Sequence, residues 1–491
     1  MRLKRHEMVH GQAATTRRGR RVRFDTPDRA LTEAGVALYL IGRRQETESL
    51  RDRSGLLSTV AVERAPASGG RPRLGAFGDK SGLAPWFEVS FTETVYTLSG
   101  LGGEETRLAL LIEEISGRKL ELAHLSLPEG GSPDILYCLA EALTQAEGER
   151  AFLVSLARAE VETAAAQGLL EAPAYRTDIA LPPGSTLMEA FVRTGRNCLE
   201  QIAANAPCVA AGLDREGLHQ MRVGLRRLRS AMTLYKKILS GAEARRVRQE
   251  LKWLSGVLGP ARDMDVFIEE ILIPVRKGPG LAALKSRFTA QRAGLLEAAV
   301  VAVRSPRFAR LMLDLSRWLG EGTWRTPSPK KGQKKRIKRL SRPALDFATQ
   351  VLGEDVAHVR DLGGDLRAMA PAERHALRIE LKRLRYAGGF FASLFAERHP
   401  ERLLKDLAAL QDALGVLNDI AVAHGLLAGL AKGEEGPRLA QAARAVINHH
   451  DHRVDKALDK AVQCWESFAK DPLFWGSERP ETRPETSSGK K

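Results

Sequence analysis

LHQMRVGLRRLRSAM, Leu218–Met232, places one histidine and four arginines in a single short stretch. On a helix turning about 100° per residue, His219, Arg222, Arg226 and Arg229 fall within roughly a quarter-turn. Met221, Leu225, Leu228 and Met232 line the adjoining sector, so the same helix offers an apolar packing seam beside a basic stripe. RHALRIELKRLRYAG, Arg374–Gly388, repeats the arrangement, with His375, Arg378, Lys382 and Arg385 beside Leu377, Leu381 and Leu384.

The two stretches keep one offset. Subtracting 219 from 375 gives 156, and the same step carries Arg222 to Arg378, Arg226 to Lys382, Arg227 to Arg383, Leu228 to Leu384 and Arg229 to Arg385. LKWLSGVLGPARDMDV at Leu251 and LAALQDALGVLNDIAV at Leu407 hold the same step, matching Leu258 to Leu414, Gly259 to Gly415 and Asp263 to Asp419. Two blocks in one register predict a duplicated helical unit. Helix breaks are expected at Gly259–Pro260 and at Gly415, with Asp263 and Asp419 in structural roles, capping a helix or orienting a stripe arginine.

Like charges three and four residues apart repel by a few tenths of a kcal/mol per pair, and neither stripe carries an acid of its own. An extended polyanion would relieve this, since each stripe spans about 15 Å by helix rise and guanidinium groups fork onto phosphate oxygens. A histidine there can donate a hydrogen bond or become charged. The formal net charge of +16 over 491 residues points to the same class of partner, whether phosphate polymer, nucleic acid or anionic lipid.

Around the stripes the chain divides by pattern. Up to about Leu127, alternating runs such as WFEVSFTETVYTL (Trp86–Leu98) and RLALLIEEI (Arg107–Ile115) are broken by Gly/Pro clusters, and DILYCLAEALTQ (Asp134–Gln145) reads as a helix. This is an α+β region, 1–175 with its trailing helix. EAPAYRTDIALPPGS interrupts the periodicity, Thr186 and Glu189 form a capping box, and helical periodicity then runs over 186–470 as an all-α domain. SPKKGQKKRIKRLSR, about 328–342, reads as a basic linker with auxiliary polyanion contact as the alternative, and 471–491 as a disordered tail.

Cys138, Cys198, Cys208 and Cys464 lack zinc-ligand spacing and read as buried thiols of a reducing compartment. The basic N-terminus has no apolar core of a secretory signal, and no run is read as a membrane helix. A cytoplasmic protein without a membrane partner is expected.

The paired HxxRxxxRRLR and HxxRxxxKRLRY motifs, with LGxxRDxDV and LQxxLGxLND, resemble the CHAD domain, the conserved histidine α-helical domain. The resemblance covers about Thr186–Lys470 and implies two four-helix bundles related by a pseudo-twofold axis, with basic grooves that bind inorganic polyphosphate. On it, His219, Arg222, Arg226, Arg229, His375, Arg378, Lys382 and Arg385 are expected polyphosphate ligands.

CHAD domains often follow a CYTH domain, a triphosphate tunnel fold, and RFDTPDRALTEAGVALYL (Arg23–Leu40) resembles that family's strand, turn and helix. The fold class expected is therefore an α+β, CYTH-like antiparallel tunnel or barrel followed by the all-α CHAD domain. The tunnel's usual Glu-x-Glu-x-Lys strand is reduced to Glu7 in MRLKRHEMVHGQ. Leu38, Tyr39, Leu40 and Ile41 replace a Leu-Arg-x-Arg pattern, and ELAHLSL brings His124 where acids are usual. These departures predict a degenerate domain with no catalytic residues and no required cofactor. Glu113 and Glu114 are left as candidate ligands for Mg or Mn, more simply read as surface or strand-edge acids.

Three functions follow as expectations. The first is non-enzymatic polyphosphate binding, with a place at polyphosphate granules; the second is a metal-dependent inorganic triphosphatase. The third is sequence-independent nucleic-acid binding, which aromatics at 5% of residues serve poorly because bases then lack stacking partners.

Overall fold

A computed structural model describes residues 12–54, 56–66, 82–98, 106–127, 131–147, 158–239, 241–325, 331–432, 435–470 and 473–476. Glu7 and the tail at 477–491 lie outside the described residues. Two compact units partition the chain. One comprises Met1–Asp178, Phe191–Glu269 and Lys285–Ile337; the other Ile179–Ala190, Glu270–Leu284 and Lys338–Lys491.

The first unit opens with strands β1 (Ala14–Asp25), β2 (Val36–Ile41), β3 (Arg44–Ser54), β4 (Leu57–Pro66), β5 (Ala84–Leu98), β6 (Thr106–Ile115) and β7 (Arg118–Ser126). They form one sheet in the order β4-β3-β2-β1-β5-β6-β7, every pairing antiparallel. A short helix, α1 (Ala30–Glu33), follows the Asp25–Pro27 turn. The Asp25 carboxylate holds that turn, accepting from the backbone N–H of Thr26, Leu31 and Thr32 and from the Thr32 hydroxyl.

Because side chains alternate along a strand, the two sheet faces differ in chemistry. One face is apolar: Tyr96, Leu98, Leu108 and Leu110 pack with Leu139 and Leu143 of α2 (Pro133–Glu147). On the other, Phe87, Val89 and Ile115 pack with Ala165 of α3 (Arg158–Ala166), beside a row of buried charges described below. Tyr137 of α2 meets Ser316 of α9 (Pro306–Glu321) at 2.9 Å.

The helical part begins at α4 (Leu187–Ala204), where the expected capping box is present: Glu189 accepts from the Thr186 N–H at 2.7 Å, and Thr186 Oγ1 accepts from the Glu189 N–H. There follow α5 (Ala206–Ala211), α6 (Arg215–Leu234), α7 (Ala242–Val266), α8 (Leu281–Arg304), α9 and α10 (Lys331–Leu340). Next come α11 (Ala344–Leu362), α12 (Pro371–Phe391), α13 (Pro400–Lys432) and α14 (Pro437–Lys470). Within the first unit α6 packs on α5 and α7; within the second, α11, α12, α13 and α14 pack in chain order. An antiparallel sheet followed by a mostly helical region is thus the observed class.

Four local expectations change. Gly259–Pro260 and Gly415 do not break helices but lie inside α7 and α13, so Asp263 and Asp419 are helix-interior residues and not caps. The basic segment read as a linker is helical over Lys331–Leu340. Cys138 is exposed, unlike the other three thiols. The presumed tail starts with packed residues, Phe474 and Trp475, the former 5.3 Å from Phe395.

Among the described helices α13 alone is long and apolar enough to cross a bilayer, contrary to the reading that no such run exists. Its sides pack on α12 and α14, and Asp412 and Asp419 interrupt it.

Candidate functional site

Each stripe is built by a helix that buries one side and leaves the adjoining side to its cations. Asp214 caps α6, its carboxylate accepting from the Glu216 N–H at 2.7 Å. Leu218, Met221, Leu225, Leu228 and Met232 are fully buried, which fixes the rotation of the helix. His219, Arg222 and Arg226 are consequently half-buried and Arg229 exposed. On α12, Glu373 accepts from the Ala370 N–H at the start, and Leu377, Leu381 and Leu384 are buried. His375 is exposed there, while Arg378, Lys382 and Arg385 are half-buried. Truncating one such leucine to alanine would cost about 2–5 kcal/mol, so the seam holds the stripe in place.

The next helix in each unit supplies a seat for the first arginine. A Cβ on Gly259 of α7 would stand 2.8 Å from Arg222 Nη1, and one on Gly415 of α13 would stand 3.3 Å from Arg378 Nη2. The guanidinium lies across a glycine in both halves, and the pair keeps the repeat offset. One turn further on, Asp263 accepts from Arg222 Nη2 at 3.1 Å. Burial nevertheless pulls Arg222 below its ordinary pKa, with Asp263 opposing and Arg226 and Arg262 adding to the fall. In the other half, burial pushes the Asp419 carboxyl up, against Asn418, Arg378 and Lys382, which hold it down.

The histidines have different neighbours at equivalent positions, since 418 minus 262 is again 156. His219 faces Arg262: burial first, then that guanidinium, lowers its pKa, with Glu216 opposing. His375 Nδ1 instead lies 2.6 Å from Asn418 Oδ1, and Asn418 Nδ2 donates to Asp419 Oδ1 at 3.2 Å. With Nδ1–H donating to the amide oxygen, Nε2 is the nitrogen left for a ligand.

Each stripe therefore lies beside an aspartate of the next helix, Asp263 in one half and Asp419 in the other. The buried Nε–H groups of Arg222, Arg226 and Arg385 meet no acceptor among the described residues. Arg227, although inside the motif, points elsewhere: it is buried and donates to Gln201 Oε1 at 2.8 Å and Asn197 Oδ1 at 2.7 Å. Its counterpart Arg383 pairs with Asp355 at 2.9 Å.

Sequence reading missed a second charged cluster, on the α3 face of the sheet. Arg21, 2% exposed, donates to Glu113 at 2.7 Å and also to Glu162 of α3. Arg158 donates to the same Glu113 oxygen at 2.7 Å and lies 3.7 Å from Glu93, which also pairs with Arg17. Tyr39 donates to Glu162 Oε2 at 2.8 Å. Burial pushes the Glu162 carboxyl up to about 7 against the pull of Arg21 and Arg158, and raises Glu48 as well. Glu113 is fully buried, not a surface acid, whereas Glu114 is exposed. The odd-numbered alternation of Arg17, Arg21 and Arg23 in β1 is the signal that marks this face.

Among the described residues no group of three or more His, Cys, Asp or Glu is placed to hold a metal ion. Glu113, the candidate ligand, has one oxygen committed to Arg21 and Arg158. Among the described residues the acids do not fit a Mg or Mn site.

The family pattern of the CHAD domain matches residues 193–428, a span that includes both stripes, Asp263 and Asp419. Among solved structures, the crystal structure of the CHAD domain from the plant Ricinus communis is similar at 32% identity, with a TM-score of 0.51. The match covers 60% of this chain and 97% of that one. No curated protein matches the chain. By motif, pattern and solved structure, the chain belongs to the CHAD domain family.

Proposed function

We propose that the protein binds inorganic polyphosphate through the α6 and α12 stripes and catalyses no reaction. The observation that carries this reading is the pair of arginines, Arg222 and Arg378, each laid over a glycine of the neighbouring helix at one repeat offset. A cation seated this way loses less side-chain freedom when an anion docks, so its contact with phosphate is worth more than that of a free surface arginine. Neither stripe carries an acid of its own, which suits a linear polymer with a charge on every unit. In this reading the helical domain comprises the two related four-helix bundles of its family. His219, Arg222, Arg226 and Arg229 serve in one, and His375, Arg378, Lys382 and Arg385 in the other. The protein works in the cytoplasm, at polyphosphate granules.

The sheet is proposed to be a CYTH-like tunnel that has lost triphosphatase chemistry. Supporting this, Arg21 and Arg158 are matched by Glu113 and Glu162 of the chain itself, so a triphosphate would have to displace a carboxylate to reach them. Binding to nucleic acid is expected only as a salt-sensitive, sequence-independent background.

The test is a titration of long-chain polyphosphate against tripolyphosphate and duplex DNA at physiological ionic strength, with phosphate release assayed in Mg and Mn. Tight binding of the long chain and no release supports the proposal. Preference for DNA, or metal-stimulated release from tripolyphosphate, overturns it.

A further inference from the structure

The segment KGQKKRIKRL is a helix, α10, although its sequence resists one. Six of its ten residues are cations and none is an acid, so repulsion between neighbours three and four apart runs along it. Two features hold it nonetheless. Leu340 is buried and Ile337 half-buried, and Arg336 Nη2 donates to the Thr323 carbonyl at 3.3 Å. At about 100° per residue these three occupy one side of the helix. Lys334, Lys335, Lys338 and Arg339 occupy the other and are exposed. No ion pair joins these four to an acid among the described residues.

We infer that α10 is a separate docking element for a linear phosphate polymer, outside the two stripes. The inference rests on the polyphosphate reading and extends it to a part of the chain that carries no His-x-x-Arg motif. Four cations within about 8 Å of helix rise match an anion whose charges are equally dense. A bilayer is disfavoured because the apolar residues of α10, Ile337 and Leu340, are turned inward and have no side to insert into lipid. Base stacking is disfavoured because the helix has no aromatic residue. A chain long enough to engage α10 together with a stripe gains by effective concentration, which a triphosphate cannot.

The test compares three full-length proteins: wild type, a variant with Lys334→Gln, Lys335→Gln, Lys338→Gln and Arg339→Gln, and a stripe variant with Arg222→Gln and Arg378→Gln. Glutamine keeps helix propensity while removing charge. Each is titrated with long-chain polyphosphate and with duplex DNA over a salt series. The α10 variant is expected to bind the long chain roughly tenfold more weakly, with a shallower salt dependence. If it binds like wild type while the stripe variant is weakened, the inference fails and the functional reading stands. If the α10 variant is weakened and the stripe variant is not, α10 is a docking element and the stripe reading fails. If only DNA binding falls in the α10 variant, the ligand class is wrong and the inference is overturned. Circular dichroism reports folding. Should the fourfold variant not fold, Lys334→Gln with Lys338→Gln is read in its place, with a several-fold loss expected and no loss overturning the inference.

Discussion

The guanidinium of Arg222 rests on Gly259, a residue from the next helix, and the contact is close enough that a methyl group there would stand 2.8 Å from Nη1. The obstructed atom is the far end of a flexible side chain, so such a methyl would displace the arginine and leave the helices alone. Arg378 and Gly415 repeat the relationship with more room, 3.3 Å.

Gly259→Ala should therefore weaken polyphosphate binding by several-fold, about 1 kcal/mol, while leaving stability unchanged or slightly raised, because alanine favours a helix interior. Gly415→Ala should do the same to a smaller extent. Titration calorimetry beside thermal unfolding checks both; a variant that melts early and binds normally would contradict the seat.

Reversing Arg222, Arg226, Arg378 and Lys382 to Glu should abolish polyphosphate binding with helicity intact. All four are at least partly solvent-facing, and the buried leucine seams are untouched. Circular dichroism and a filter-binding assay decide it; unchanged affinity would remove the stripes from the function.

His219 gives a pH dependence. Its folded pKa is lowered by burial and Arg262, so the free protein holds it neutral at neutral pH. Protonation is then unfavourable in the fold, and this residue's share of stability is present above the unfolded value of about 6.5 and is lost as pH falls from there through the lower folded value. A polyanion reverses the balance by favouring the charged form. Affinity should rise as pH falls below about 7, and His219→Asn should flatten that rise. Binding that weakens on acidification would refute the contact.

Glu162 works with the opposite sign. Its carboxyl, raised to about 7 in the fold, stays protonated where an unfolded glutamate has ionised. Stability from this group is complete at acidic pH and is lost as pH rises from about 4.3 to about 7. Glu162→Gln should remove that slope from the unfolding of the first unit. A slope unchanged in the variant would place the proton elsewhere in the cluster.

Helix positions were readable where one periodicity ran unopposed. The seams of α6 and α12 fixed the stripes because Leu218, Leu225, Leu377 and Leu384 had only one way to be buried. Gly259 and Gly415 misled, because a glycine that ends a helix and one that makes room for an arginine look alike until the neighbouring helix is in place. The same holds for α10, whose charges argue against a helix that Leu340 anchors. The Arg21–Glu113–Glu162 cluster was hidden for another reason: its members come from β1, β6 and α3, far apart in the chain, and only strand register gathers them.

Position 262 of the first repeat is arginine and position 418 of the second is asparagine. The two repeats are thus an unequal pair at this position. One histidine sits beside a fixed cation and resists a proton; the other sits beside an amide that aligns it. Protonation therefore bears on the first half through His219, whereas in the second half the Asn418 amide fixes which ring nitrogen of His375 is left for a ligand.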